Sequence, residues 1–229
     1  MRRMPALAAV ATALPAALLA SCSNRPNDLY TYYDGPTSEV VSSPAAPPPA
    51  PPTSTTPPRP APAALVASAG LTAADLAEEE VTAQQAPTKA ASVTLPDCRL
   101  DLGEDVDAGS EASWTYARGS VLRQYTVHTA ETATLDEAEA TIEQCRNFKI
   151  DGVTHTIDEG ATLSAIAAAD DQLTWCATTN RKVICTVLLA KGNLVTAVSV
   201  ESGTARGARE AITRIAPVAA AALSRADRP

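Results

Sequence analysis

Hydrophobic and polar residues in this chain follow a helical period at three places and a period of two at most others. The clearest helical stripe is Leu135, Ala138, Ile142 and Cys145, preceded by Thr134 with Glu137 at capping-box spacing. It sets Cys145 on the apolar face near the helix end. A second stripe, Ala208, Ala211, Ile212, Ile215, Ala219, Ala222 and Leu223, predicts a helix from about Ala205 to Ala226. Pro217 lacks a backbone donor and is expected to kink or divide it. An earlier helical region is expected from Ala63 to Ala86, with Gly70 as an interruption. Thr72 and Asp75 would cap a second helix there, running through Leu76 and Glu78-Glu79-Glu80.

Alternation predicts the strands. Trp114 and Tyr116, then Val121, Leu122, Tyr125 and Val127, read as a hairpin within Glu111–His128, turning at Arg118-Gly119-Ser120. The odd positions of its second strand are the more apolar, so that face is expected to be the buried one. Ser92 to Leu95 reads as a short strand stopped by Pro96. Val153 to Ile157 and Thr162 to Ile166 flank the turn signal Asp158-Glu159-Gly160. Leu173 to Thr178 and Val183 to Leu189 flank Thr179 to Lys182, and Lys191-Gly192-Asn193 turns the chain into Leu194 to Val200. Strands joined by short turns, with helices early, midway and last, predict an α+β domain with a mainly antiparallel sheet.

The first 62 residues fit neither period. Arg2 and Arg3 precede an apolar run from Met4 to Ala20, short for a membrane span and broken by Pro5 and Pro15. The run ends in Leu19-Ala20-Ser21-Cys22, which resembles the lipobox of bacterial lipoproteins. That resemblance implies cleavage after Ser21 and acylation of Cys22 by chains such as palmitate, with a lipid-anchored chain on the extracytoplasmic face of the cell membrane. An ordinary signal peptide with a chance cysteine is the alternative. Eleven of the 18 prolines fall between Pro36 and Pro62, where only Val40 and Val41 are bulky and apolar. Such a stretch favours extended conformations, and residues 23–62 would reach roughly 120 Å at full extension. The chain therefore divides into a leader, 1–21, a lipidated N-terminus and disordered Pro-rich tether, 22–62, and a folded domain, 63–229.

Composition limits the chemistry. Aromatic residues make up 3% of the chain and there is one Phe, so the core must be aliphatic and rich in alanine. The formal charge is −8, and the leader contributes only positive residues, so the remainder is more acidic still. With no basic run, nucleic acid and anionic membrane surfaces are poor partners. Membrane attachment has to come from the acyl chains on Cys22, two of which hold stably where one is marginal. Setting Cys22 aside leaves Cys98, Cys145, Cys176 and Cys185, an even number that reads as two disulfides in an exported domain. Neither C-x-x-C pairs nor neighbouring histidines suggest a metal, and no cofactor motif is present. His128 and His155 are expected to be exposed strand residues, with no nucleophile elbow near either. The chain is not expected to be an enzyme.

Leu95-Pro96-Asp97-Cys98, Trp114-Thr115-Tyr116, Gln124-Tyr125, the Thr134–Cys145 helix, Trp175-Cys176 and the run Val183 to Val200 before a terminal helix together resemble the PknH-like extracellular sensor domain. That family occurs in actinobacterial surface lipoproteins and in the outer part of some receptor serine/threonine kinases. The resemblance covers residues 63–229. It implies an α+β fold, two disulfides joining neighbours in sequence, and a cleft for an unidentified ligand, and it assigns no ligand-contacting positions. Four cysteines allow three pairings. In the Leu173–Leu189 hairpin, a turn centred on Asn180-Arg181 sets Cys176 opposite Cys185 at a non-hydrogen-bonded site, where Cα atoms lie about 4.5 Å apart. That leaves Cys98 for Cys145, which would pin the Thr134 helix to the strand near Leu95.

Two functions fit this reading. One is a surface sensing or binding module for a small molecule, glycan or protein of the envelope. The other is a lipid or glycolipid carrier with an apolar cavity. The anchor is directly testable. With Cys22 acylated, the mature chain should partition into the detergent phase, and Cys22→Ser should release it or leave uncleaved precursor. A mature Cys22→Ser chain that still fractionates with membranes would refute acylation.

Overall fold

The computed structural model describes residues 60–102, 106–133, 135–158 and 162–226. The leader, Cys22, the tether up to residue 59 and Thr134 lie outside the described residues; the last tether residue, Pro62, already opens a helix. Eight antiparallel strands form a single sheet in the order β1-β2-β3-β8-β7-β6-β5-β4. They are β1 Val81–Ala90, β2 Val106–Tyr116, β3 Val121–Thr129, β4 Asn147–Ile150, β5 Val153–Asp158, β6 Asp171–Thr178, β7 Val183–Lys191 and β8 Leu194–Ser202. The helices are α1 Pro62–Ala69, α2 Asp136–Gln144 and α3 Ala205–Ala226. The expected α+β class holds, and the sheet is antiparallel at every pairing.

Strand β7 bury side chains in both directions, and so does β8 along most of its length. Val183, Cys185, Val187 and Leu189 of β7, with Leu194, Val198 and Val200 of β8, join α1 and α3 in one cluster. Leu188, Ala190, Val195 and Ala197 face the other way, toward Trp175, Leu95, Leu100, Leu102, Leu135 and Ile142. Helix α3 covers the first face with the predicted stripe, and most of its buried residues are alanines, which let the helix lie close to the strands. It runs through Pro217 as one element. The ring sits on the exposed side, where water can satisfy the carbonyl four residues back.

Several local expectations give way to tertiary contacts. Helix α1 ends at Ala69, and Leu76 and Glu78–Glu80 do not form a second long helix. Thr72 and Asp75 do bond reciprocally, Thr72 N–H donating to Asp75 and Asp75 N–H to Thr72 Oγ1, but they close a turn. Forked ion pairs from α3 hold this connection: Arg225 grips Asp75, and Arg214 grips Glu79, which also accepts from the Tyr116 hydroxyl. The chain then leaves as β1, an edge strand whose side chains are almost all exposed, so backbone pairing with β2 decides its structure. Pro87 and Lys89 in that strand discourage pairing with a further chain. Strand β2 starts earlier than expected, at Val106. At Gly109 a Cβ would approach the Ala90 carbonyl oxygen to 3.0 Å.

Ser92 to Leu95 forms only a bridge, Thr94 with Asp101. Residues 162–166 form no strand; the Ile166 N–H is taken by the Gln172 side chain. Asn147–Ile150 is a strand the periodicity did not predict. Asp151-Gly152, both at positive φ, makes the tight turn between β4 and β5. Helix α2 begins at Asp136, and the Leu135 N–H donates to the Asp171 carboxylate across the fold.

The faces of β3 also reverse the expectation. Leu122, Gln124 and Thr126, the even positions, are buried, while of the odd positions only Val127 is fully so. The polar pair is tolerated because it is bonded. Gln124 Oε1 accepts the Leu71 N–H at 2.8 Å, and Gln124 Nε2 donates to the Ala69 carbonyl and to Thr196 Oγ1. Thr126 and Thr196 share a further bond at 3.0 Å. Gln124 thus fastens the end of α1 to the sheet. Gln124→Leu should strand the Leu71 donor and lower stability by about 2 kcal/mol. Urea unfolding checks this, and a variant with an unchanged midpoint would show that α1 is held by apolar packing alone.

Candidate functional site

The second face of the sheet is covered only in part. Helix α2 lies over the β5–β6 side, and residues 93–102 fold back over the centre. The resulting cleft of about 430 Å³ lies over β3, β8 and β7. Its floor follows from register. Arg123 pairs with Ser199, Ser199 with Thr186, and Thr186 with Trp175, so one row of side chains crosses four strands on one face. Rows of this kind repeat at about 4.8 Å from strand to strand. Tyr125 and Ala197 form the adjacent row, and Val121, Glu201 and Ile184 the one beyond.

The loop above this row is tightly determined. Leu95 N–H donates to the Leu100 carbonyl at 2.7 Å, and Leu102 N–H to the Val93 carbonyl at 3.0 Å. Between them Cys98 and Arg99 both hold φ of 54°, a region that side-chain-bearing residues rarely adopt. Three restraints keep them there. Leu95, Leu100 and Leu102 are buried, Cys98 is bonded to Cys145 just past α2, and Asp97 is pinned from below. One carboxylate oxygen of Asp97 accepts from Trp175 Nε1 at 2.8 Å and from Thr186 Oγ1 at 3.0 Å. Asp97 is 3% exposed. Burial raises its carboxyl above the ordinary 3.8, although the two hydrogen bonds and the charges of His155 and Arg123 pull the other way.

At the other end of the row the polar groups are unspent. Among the described residues the Arg123 side chain makes no hydrogen bond or ion pair, and neither does the Ser199 hydroxyl. Both line the cleft. Burial and the neighbouring Glu111 carboxylate push the Tyr125 hydroxyl up to about 12, so it stays neutral. Lys182 at the rim is paired with Glu201. Pro96, Leu95, Val121, Ile150 and Ile184 supply apolar surface.

Two other concavities differ in kind. One of about 490 Å³ lies beside α2 and is lined by Glu139, Glu143, Arg146 and Asp158 among others, of which Arg146 and Asp158 already have partners. The other, about 890 Å³, is an apolar groove between α1 and the β1–β2 edge, lined by Val66, Leu71, Ala86, Pro87, Ala108 and Trp114 among others.

The four cysteines of the domain are joined as Cys98–Cys145 and Cys176–Cys185, with Cα separations of 6.0 and 4.1 Å. The second lies under α3, far from the cleft face. The histidines depart from expectation. His155 is 5% exposed and stacks on Phe148, and His128 is half-buried and faces Asp107. They do not meet. Among the described residues no cluster is placed to hold a metal, and no helix is long and apolar enough to cross a membrane. Arg123, Ser199 and Asp97 were not singled out by sequence, apart from Asp97 within the quoted Leu95–Cys98 run.

No family model matches the sequence, and no curated protein matches it. Among solved structures, the extracellular domain of PknH from Mycobacterium tuberculosis aligns with 69% of this chain and 94% of its own, at 13% identity and a TM-score of 0.44. An uncharacterized protein from Mycobacterium smegmatis, an Rv0999 ortholog, aligns with 73% of this chain and 100% of its own, at 18% identity and a TM-score of 0.42. Likenesses at these scores assign no function.

The Asp97 carboxyl gives a signed prediction. Its folded-state value lies above its unfolded one, so the folded chain holds the proton more tightly. As pH rises from about 4, the unfolded chain loses it first and the group's contribution to stability falls, levelling once pH passes the raised value. Asp97→Asn can keep an oxygen for both bonds and removes the titration. Its stability relative to the parent should therefore increase from pH 4 toward neutral. Urea titrations at stepped pH measure this, and a constant difference would contradict a raised carboxyl.

Proposed function

We propose that this chain is an extracytoplasmic lipoprotein, anchored through Cys22, whose domain is a binding module that presents the sheet-face cleft to a small envelope ligand. One observation carries the reading: Arg123 and Ser199 stand together in a concavity with their bonding capacity unused. Such convergent polar groups within apolar walls are what small-molecule sites provide. The two disulfides fit an oxidising compartment. The tether would hold the module clear of the membrane, and the module acts by binding, without chemistry of its own.

The apolar groove beside α1 favours a second reading, a lipid or glycolipid carrier. One experiment separates the two. The mature chain is incubated with a total envelope extract, washed, and its retained molecules are identified by mass spectrometry. Val121→Trp fills the cleft from a half-exposed rim position, and Ala86→Trp fills the groove from an exposed strand. Retained small molecules should disappear with Val121→Trp and persist with Ala86→Trp. Lipid lost only with Ala86→Trp would establish the carrier instead.

A further inference from the structure

We infer that the cleft takes a monoanionic organic acid, its carboxylate held by Arg123 and Ser199 and its body lying against Leu95, Pro96, Val121 and Ile184; this rests on the binding-module reading above. The argument starts from register. Arg123 on β3 and Ser199 on β8 are direct cross-strand partners on the cleft face, so the side chains that carry the guanidinium and the hydroxyl rise from adjacent points of the cleft floor. A guanidinium offers parallel donors in a fixed fork that matches a planar carboxylate, and a hydroxyl beside it adds a third donor. Both groups make no hydrogen bond or ion pair among the described residues, and Arg123 is only half-exposed. The charge of Arg123 is felt by the Asp97 carboxylate, but Asp97 is bonded to Trp175 and Thr186 and not to Arg123. A partly desolvated cation with no bonded counterion is costly, and an anion in the cleft relieves that cost.

Local charge sets the ligand's charge. Lys182 is neutralised by Glu201, whose side chain is 16% exposed and tied to it. Asp151 and Asp97 also line the cleft. Arg123 is therefore the cation left to meet a ligand, with acids close by. One negative charge is matched by it, whereas the second charge of a phosphate dianion would face Asp97 and Asp151 with no cation of its own. A neutral polyol would leave the guanidinium without a bonded counterion. The apolar walls on the loop side and at Val121 and Ile184 then suit a short hydrocarbon body.

The test uses the mature chain, labelled with nitrogen-15, and three six-carbon probes: hexanoate, hexyl phosphate and hexanol. Amide shifts of Arg123, Ala197 and Ser199 report occupancy. Hexanoate should give saturable shifts, and hexanol and hexyl phosphate should bind at least about tenfold more weakly. Arg123→Gln should weaken hexanoate about tenfold or more, and Ser199→Ala less. Amide spectra of each variant without probe establish that it is folded. Hexanol binding as well as hexanoate, or a folded Arg123→Gln chain with parental affinity, would overturn the anion assignment. A preference for hexyl phosphate would overturn the single charge. Absence of shifts from every probe would overturn the inference as a whole. None of these outcomes touches the cleft reading, which stands or falls on the loss of retained molecules in Val121→Trp.

Discussion

Strands β7 and β8 carry buried side chains on both faces over most of their length, and strands of that kind need a layer on each side. Everything else in the domain answers to this requirement. On one side α3 meets it with a single long helix whose buried alanines approach the sheet closely, and α1 completes the layer. Among the described residues no long helix lies on the other side. Nine residues of α2 and a ten-residue irregular segment, 93–102, must do the same work.

That second layer is held by restraints of a different type. A segment without regular pairing has few backbone bonds of its own, and this one also includes two residues at positive φ. Burial of three leucines, the Cys98–Cys145 bond and the Asp97 carboxylate compensate. The buried carboxylate is costly by itself, and its two donors, Trp175 Nε1 and Thr186 Oγ1, limit that cost. Both donors arise from the same row of the sheet that carries Ser199 and Arg123. The anchoring of the loop and the floor of the cleft are thus parts of one row, divided between groups that are bonded and groups that are not.

The cleft exists because this layer is too small for the sheet. Its covering elements reach Thr186 and Trp175 but leave the Arg123 and Ser199 end open. The edges of the sheet are managed separately. Strand β4 is four residues long, and β1 carries Pro87 and Lys89. The polar contacts of Gln124 and the forks from Arg214 and Arg225 hold the N-terminal connection to the sheet and to α3.

The sequence alone determined the elements whose information is local. The α3 stripe, the Leu173–Leu189 hairpin with Cys176 opposite Cys185, and the α+β class all follow from periodicity and turn chemistry. Asp151-Gly152 marks the β4–β5 turn in the sequence too, but the four residues of β4 are too few to show a period of two. Tertiary structure decided the rest. Val81–Ala90 became a strand because β2 offered it partners, since its own side chains gain little by burial. The buried face of β3 carries Gln124 and Thr126 because partners from α1 and β8 satisfy them, which no pattern of apolar residues can report. The site is the extreme case. Arg123, Ser199, Thr186 and Asp97 lie on four separate stretches of chain, and only the register of β3, β8 and β7 makes them neighbours. Periodicity tells which face a side chain takes; it does not tell which residue stands beside it, because that depends on pairing between distant segments.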